Sequence, residues 1–139
     1  MKSYYWALLA ATVWGIAPIV EKMGLMRMPV WTGLFFRSLG VFCGLILIAC
    51  FQFAEIKQVV TKDASGWFYL FLGGILASIL GQIFFYKALS TGQVSQVVPL
   101  GACYPLISFV LGILFLHEIM TWPKLAGLIF IIIGAILLK

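Results

Sequence analysis

Four side chains interrupt apolar runs where a charge or an amide costs free energy: Glu21, Arg37, Gln82 and Lys87. The sequence offers them no nucleophile with a base, no metal-ligand spacing and no phosphate-cradling glycine loop, so covalent and metal chemistry have no starting point and an enzyme is not expected. What such groups do well is bind. Glu21 and Arg37 are expected to pair, and with Lys87 the cluster keeps a net positive charge, which favours an anionic or zwitterionic solute. Each residue also has a plainer reading. Arg37 and Lys87 snorkel to the interface, the charges form a network that fixes helix packing, and Gln82 satisfies a neighbouring group or a water. Trp14, Tyr86, Tyr104 and Ser108 stand at positions where they either line a pathway or simply pack.

The elements that must position these residues are set by composition. Hydrophobic residues make up 64% of the 139-residue chain and charged residues 9%, against roughly 25% charged in soluble domains. This is the composition of an integral membrane protein, and a multi-pass protein of the cytoplasmic membrane is expected. Seven lysines and two arginines against four carboxylates give a net charge of +5, with no basic run interleaved with aromatics, so no nucleic-acid partner is expected. Cys43, Cys50 and Cys103 all lie in apolar runs, where a free cysteine acts as a small hydrophobe, and their odd number with no histidine nearby argues against a disulfide framework or a metal site. No cofactor motif is present. Lys2 before an apolar run imitates a signal peptide, but no cleavage pattern comes after it, and the first segment is read as a retained helix.

Residues 1–139 read as a single all-α domain of five transmembrane helices, with spans at about 4–23, 30–53, 67–89, 97–116 and 122–138. The first opens on the interfacial cluster Tyr4, Tyr5, Trp6 and contains Pro18, which should kink it. A charged loop with Glu55, Lys57, Lys62 and Asp63 is expected after the second. Pro99 and Pro105 fall in the fourth. Thr121 is placed as the cap of the fifth, with Pro123 in its first turn, and Lys139 closes it. Lys2, Lys57, Lys62 and Lys124 flank one side, and Lys22, Arg27 and Lys139 the other, with Lys87 just inside it. That bias is nearly absent, so orientation is weakly specified.

Helices in lipid associate through small residues spaced by four. Ala7, Ala11 and Gly15 align in the first span, and Gly73, Ala77 and Gly81 in the third, beside a polar stripe of Ser78, Gln82 and Tyr86. In the fourth, Gly101, Tyr104, Ser108 and Gly112 recur at helical spacing. Gly33, Arg37, Gly40 and Gly44 share one side of the second, which turns Arg37 inward about 10 Å from the start of its span. Glu21, Arg37 and Lys87 all lie towards one membrane face. Glu118 and His117 lie at the other and read as an ordinary interfacial pair; a proton-coupling role for His117 finds no local support.

The order of "LLAATVWG", "FFRSLGV", "GQIFFYKALSTGQVSQVVPL", "LGILFLHE" and "GLIFIIIGAILL" resembles a single EamA-type unit of the drug/metabolite transporter superfamily over nearly the whole chain. The resemblance implies bundled helices, one half of a ten-helix inverted-repeat architecture, and outward movement of small metabolites or drugs. Sites of this kind lie between inverted repeats, so the chain is expected to pair with a second copy, parallel or antiparallel, or with a similar subunit. The small multidrug resistance branch exchanges protons for cations through a glutamate within its first span. Here the first span has no mid-span acid, and Glu21 comes late. Other readings kept open are an accessory subunit of a larger transporter and a subunit of a lipid-linked sugar flippase.

Overall fold

Long apolar stretches without water around them become helices, because a helix satisfies its peptide groups within one segment. The computed structural model describes residues 3–62 and 64–138, and every regular element among them is helical. Lys2, Asp63 and Lys139, counted above among the flanking charges, lie outside the described residues, as does the side chain of Lys62. In order, the elements are α1 (Ser3–Leu25), α2 (Val30–Lys62), α3 (Ala64–Ile75), a π-helical segment (Leu76–Gly81), α4 (Gln82–Thr91), α5 (Val94–Gly101), α6 (Tyr104–Leu116) and α7 (Trp122–Leu137). Among the described residues, four stretches are long and apolar enough to cross a membrane: Ser3–Leu25, Val30–Lys57, Gly66–Thr91 and Val94–Leu116. The expected fifth, α7, has 16 residues, roughly 24 Å of rise against about 30 Å of hydrocarbon.

The chain divides into two units, one of residues 20–90 and one of residues 1–19 with 91–139. In the first, α2 packs on α3. The charged loop expected at Glu55 and Lys57 is instead helix: α2 continues past a break at Gln52, where φ and ψ are −115° and 20°. The third span is α3, the π segment and α4 end to end. A π turn carries one extra residue and rotates the helix downstream of it by about 100°, so Ser78, Gln82 and Tyr86 do not form the single stripe that a uniform 3.6 period predicts. Gly81 makes this turn feasible, since a Cβ there would stand 3.2 Å from the Leu76 carbonyl oxygen.

In the second unit, α5 packs on α7. The fourth span begins at Val94 rather than Val97 and is broken at Ala102 and Cys103. Pro105 has no N–H for the Gly101 carbonyl, so the helix stops and restarts with proline in its first turn, where the missing donor costs little. α1, by contrast, runs unbroken through Pro18. Thr121 does occupy the cap position of α7, with extended backbone, but its side chain makes no capping bond.

Most large apolar side chains among the described residues are exposed; the buried hydrophobic residues include Leu25, Tyr86, Leu89 and Ala135. The small-residue faces are largely unfilled within the chain. A Cβ built on Gly15, Gly40, Gly44 or Gly73 meets nothing within 4 Å, whereas on Gly33 it meets Leu25 and Tyr86.

Candidate functional site

The polar groups of residues 20–90 gather where the end of α1, the first half of α2 and α4 meet. A short turn joins α1 to α2, held by the Arg27 N–H to the Gly24 carbonyl at 2.9 Å and the Gly33 N–H to the Pro29 carbonyl at 2.9 Å. Gly33 lets α2 approach closely: its absent Cβ would lie 2.9 Å from Leu25 Cδ2 and 3.6 Å from the Tyr86 ring. One helical turn on, Arg37 Nε donates to Glu21 Oε1 at 3.2 Å. Gln82 Nε2 donates to the same oxygen at 3.3 Å, and the Tyr86 hydroxyl hydrogen-bonds the Glu21 carboxylate as well. One carboxylate thus collects three donors from two other helices.

The exposure of this pair decides how to weigh it. The side chains of Arg37 and Glu21 keep 27% and 19% of their surface, so part of their hydration is gone and each depends on the other for compensation. Removing one partner of a fully buried pair costs about 3–5 kcal/mol, and the residual exposure here discounts that figure. Two cavities flank the pair. One, of about 330 Å³, is lined by Glu21, Gly24, Met28, Gly33, Phe36, Arg37 and Tyr86 among others. The second, of about 310 Å³, lies between α2 and the α3–π stretch and also has Arg37 in its wall, together with Ser38, Phe71 and Ser78.

Of the residues singled out from sequence, the structure brings together Glu21, Arg37 and Gln82. Lys87 stands on α4 with its ammonium 5.8 Å from the centroid of the Trp31 ring, a cation–π geometry. Trp14, Tyr104 and Ser108 belong to the other unit and are not in the walls of these two cavities. Trp14 is exposed on α1. Tyr104 and Ser108 line a separate cavity of about 490 Å³ with Phe109, Glu118, Lys124 and Leu128. Glu118 and Lys124 approach to 3.9 Å while each stays about half exposed, which makes them an interfacial pair worth little. His117 caps α6 in the left-handed region, φ 54° and ψ 33°, returning its N–H to the Gly112 carbonyl.

Two contributors, Lys22 and Ser38, carry no mark in the site residues read from sequence, and Tyr86 was read as either lining or packing. Lys22 Nζ donates to the Leu89 carbonyl at 2.6 Å and the Ser90 carbonyl at 3.2 Å, closing the end of α4; its signal was a lysine in the last turn of one span on the face where the third span ends. Tyr86, only 2% exposed, was legible as an aromatic four residues after Gln82. Ser38 gave no signal beyond its place next to Arg37. Among the described residues, no three of His, Cys, Asp and Glu assemble as a metal-binding group.

The whole chain, residues 1–139, matches the model of the EamA-like transporter family. It is 31% identical over 132 residues to an uncharacterized protein of Methanocaldococcus jannaschii, covering 95% of this chain and 92% of that one. It is 26% identical over 136 residues to an uncharacterized transporter in the cobO 3′ region of a Sinorhizobium species, covering 96% and 94% respectively. No solved structure matches.

Proposed function

The chain belongs to the EamA-like transporter family, and from that premise we propose that it is a secondary transporter that moves small metabolites or drugs out across the cytoplasmic membrane as a dimer. The observation that carries this reading is the Glu21–Arg37 pair inside membrane-spanning helices, bonded to Gln82 and set in the wall of two cavities. Intramembrane charge is expensive and is kept where it serves a solute or an ion. Arg37, Gln82 and Glu21 line the pathway on this reading, with Lys87 at its mouth. Tyr104, Ser108 and Trp14 are kept as candidate solute contacts within the other unit, where Tyr104 and Ser108 line their own cavity.

In this assembly α7 is the fifth span, accommodated by local thinning of the bilayer, and the chain is one half of an inverted-repeat transporter. A second copy supplies the other half. Two things support the pairing. The faces at Gly15, Gly40 and Gly44 are open to a neighbour, and the match covers more than nine-tenths of each of the two relatives, which leaves neither of them room for a second unit of this size. The test is reconstitution into liposomes with a broad metabolite panel, with and without a proton gradient. Solute flux that Arg37→Ala abolishes is the expected result. No flux for any solute overturns transport and leaves the role of an accessory subunit.

A further inference from the structure

The cavity between α2 and the α3–π stretch is polar at one end and apolar at the other, and its one charged group is Arg37. Its wall is Arg37, Ser38, Val41 and Leu45 from α2, and Phe71, Gly74, Ile75, Ser78 and Ile79 from the facing stretch. Consecutive spans cross in opposite directions, so Arg37, Ser38 and Ser78 share one end, while Leu45 and Phe71 share the other. Ser78 reaches this end through the π turn, which separates it from the Gln82 and Tyr86 face that bonds Glu21.

Among the described residues the guanidinium bonds Glu21 through Nε alone. The fork of its two terminal nitrogens is left for a second planar acceptor. We infer that this cavity binds a small monocarboxylate with an apolar or aromatic tail, its carboxylate on Arg37, Ser38 and Ser78 and its tail against Leu45, Phe71 and Ile75.

The lining discriminates between solute classes. A cation would meet the terminal nitrogens of the guanidinium, because the carboxylate that offsets Arg37, Glu21, bonds its Nε and lines the other cavity rather than this one. An α-amino acid would bring an ammonium that only two hydroxyls could accept from, which leaves most of its charge uncompensated. A neutral ester forfeits the charge-assisted bonds. The groove is open along one side, where Ser38, Leu45, Phe71 and Ser78 are exposed, so its length sets the fit, and the rise from Arg37 to Leu45 is about 12 Å. A phenyl ring on a short chain spans that length, with Phe71 for its face.

The inference rests on the transporter reading only in taking the ligand as cargo; binding is measured separately from flux. The purified full chain is titrated in detergent with 3-phenylpropionate, its methyl ester, 3-phenylpropylamine and phenylalanine, tracking the unfolding temperature and equilibrium binding. The carboxylate should bind about tenfold or more tighter than the other three, with Ser78→Ala weakening it several-fold. Arg37→Gln also strips Glu21 of its partner, so the independent variant is Leu45→Trp, which fills the apolar end and should remove carboxylate binding from a chain that still folds. Equal binding of ester, amine or amino acid overturns the inference, as does carboxylate binding that Leu45→Trp leaves intact. Carboxylate binding without flux rejects the transporter reading alone, and flux of other solutes without carboxylate binding rejects the carboxylate site alone.

Discussion

Lys22 and Leu89, 67 residues apart, are joined by a 2.6 Å bond from an ammonium to a backbone carbonyl. The carbonyls at the end of a helix have no partner within it and carry its negative dipole end, so a cation there both bonds and neutralises. Leu89 is fully buried, which leaves water a poor substitute.

Replacing that lysine by Lys22→Met is therefore expected to lower stability by about 1–2 kcal/mol, read as a lower unfolding temperature in detergent. Lys22→Arg keeps a donor and should recover most of the loss. Equal loss in both variants would show that shape, not the donor, matters there.

The Glu21–Arg37 pair should be strongly non-additive. Either single change, Glu21→Gln or Arg37→Gln, leaves a charge short of its partner, whereas the double variant removes both. We expect the double variant to be more stable than Arg37→Gln alone by about 1–2 kcal/mol, measured by denaturation in mixed micelles. Additive losses would mean that the pair is not coupled.

Gly33 is set against Leu25 and Tyr86, and a methyl group there would stand 2.9 Å from the end of the Leu25 side chain, which must shift to admit it. Gly33→Ala should cost about 1–3 kcal/mol by overpacking, and adding Leu25→Val should return part of it, because the nearest atom, at 2.9 Å, is the far end of the leucine. Failure of the second change to help would place the strain in the backbone.

His117 gives a prediction of opposite sign. It is a non-glycine residue held at φ 54°, a conformation that costs an L-residue about 1–2 kcal/mol. His117→Gly should raise the unfolding temperature. A lower one would reveal that the imidazole makes an interaction that outweighs the strain.

Hydropathy made the helices legible, because twenty apolar residues in lipid leave the backbone one solution. Arg37 and Glu21 were legible as partners because two charges on adjacent spans at one depth have few alternatives to each other. What the sequence hid came from departures from regular period. The helix at Glu55 and Lys57 continues beyond the hydrocarbon where polarity alone suggests a loop. The stripe of Ser78, Gln82 and Tyr86 presumed 3.6 residues per turn throughout, and the π turn divides it. Small residues at Gly40 and Gly44 suggested a contact face, but within the chain a Cβ on either meets nothing within 4 Å.

The π turn from Leu76 to Gly81 makes the third span sensitive to counting as well as to chemistry. Its surplus residue sets the angular phase between the hydroxyl of Ser78 and the pair Gln82 and Tyr86. Deleting one residue within it restores the ordinary helix and swings everything downstream by about 100°. Gln82 and Tyr86 then leave Glu21 together, although neither has been altered. Here a change of length by one residue does what no single substitution does, and the identity of the residue removed matters less than its removal.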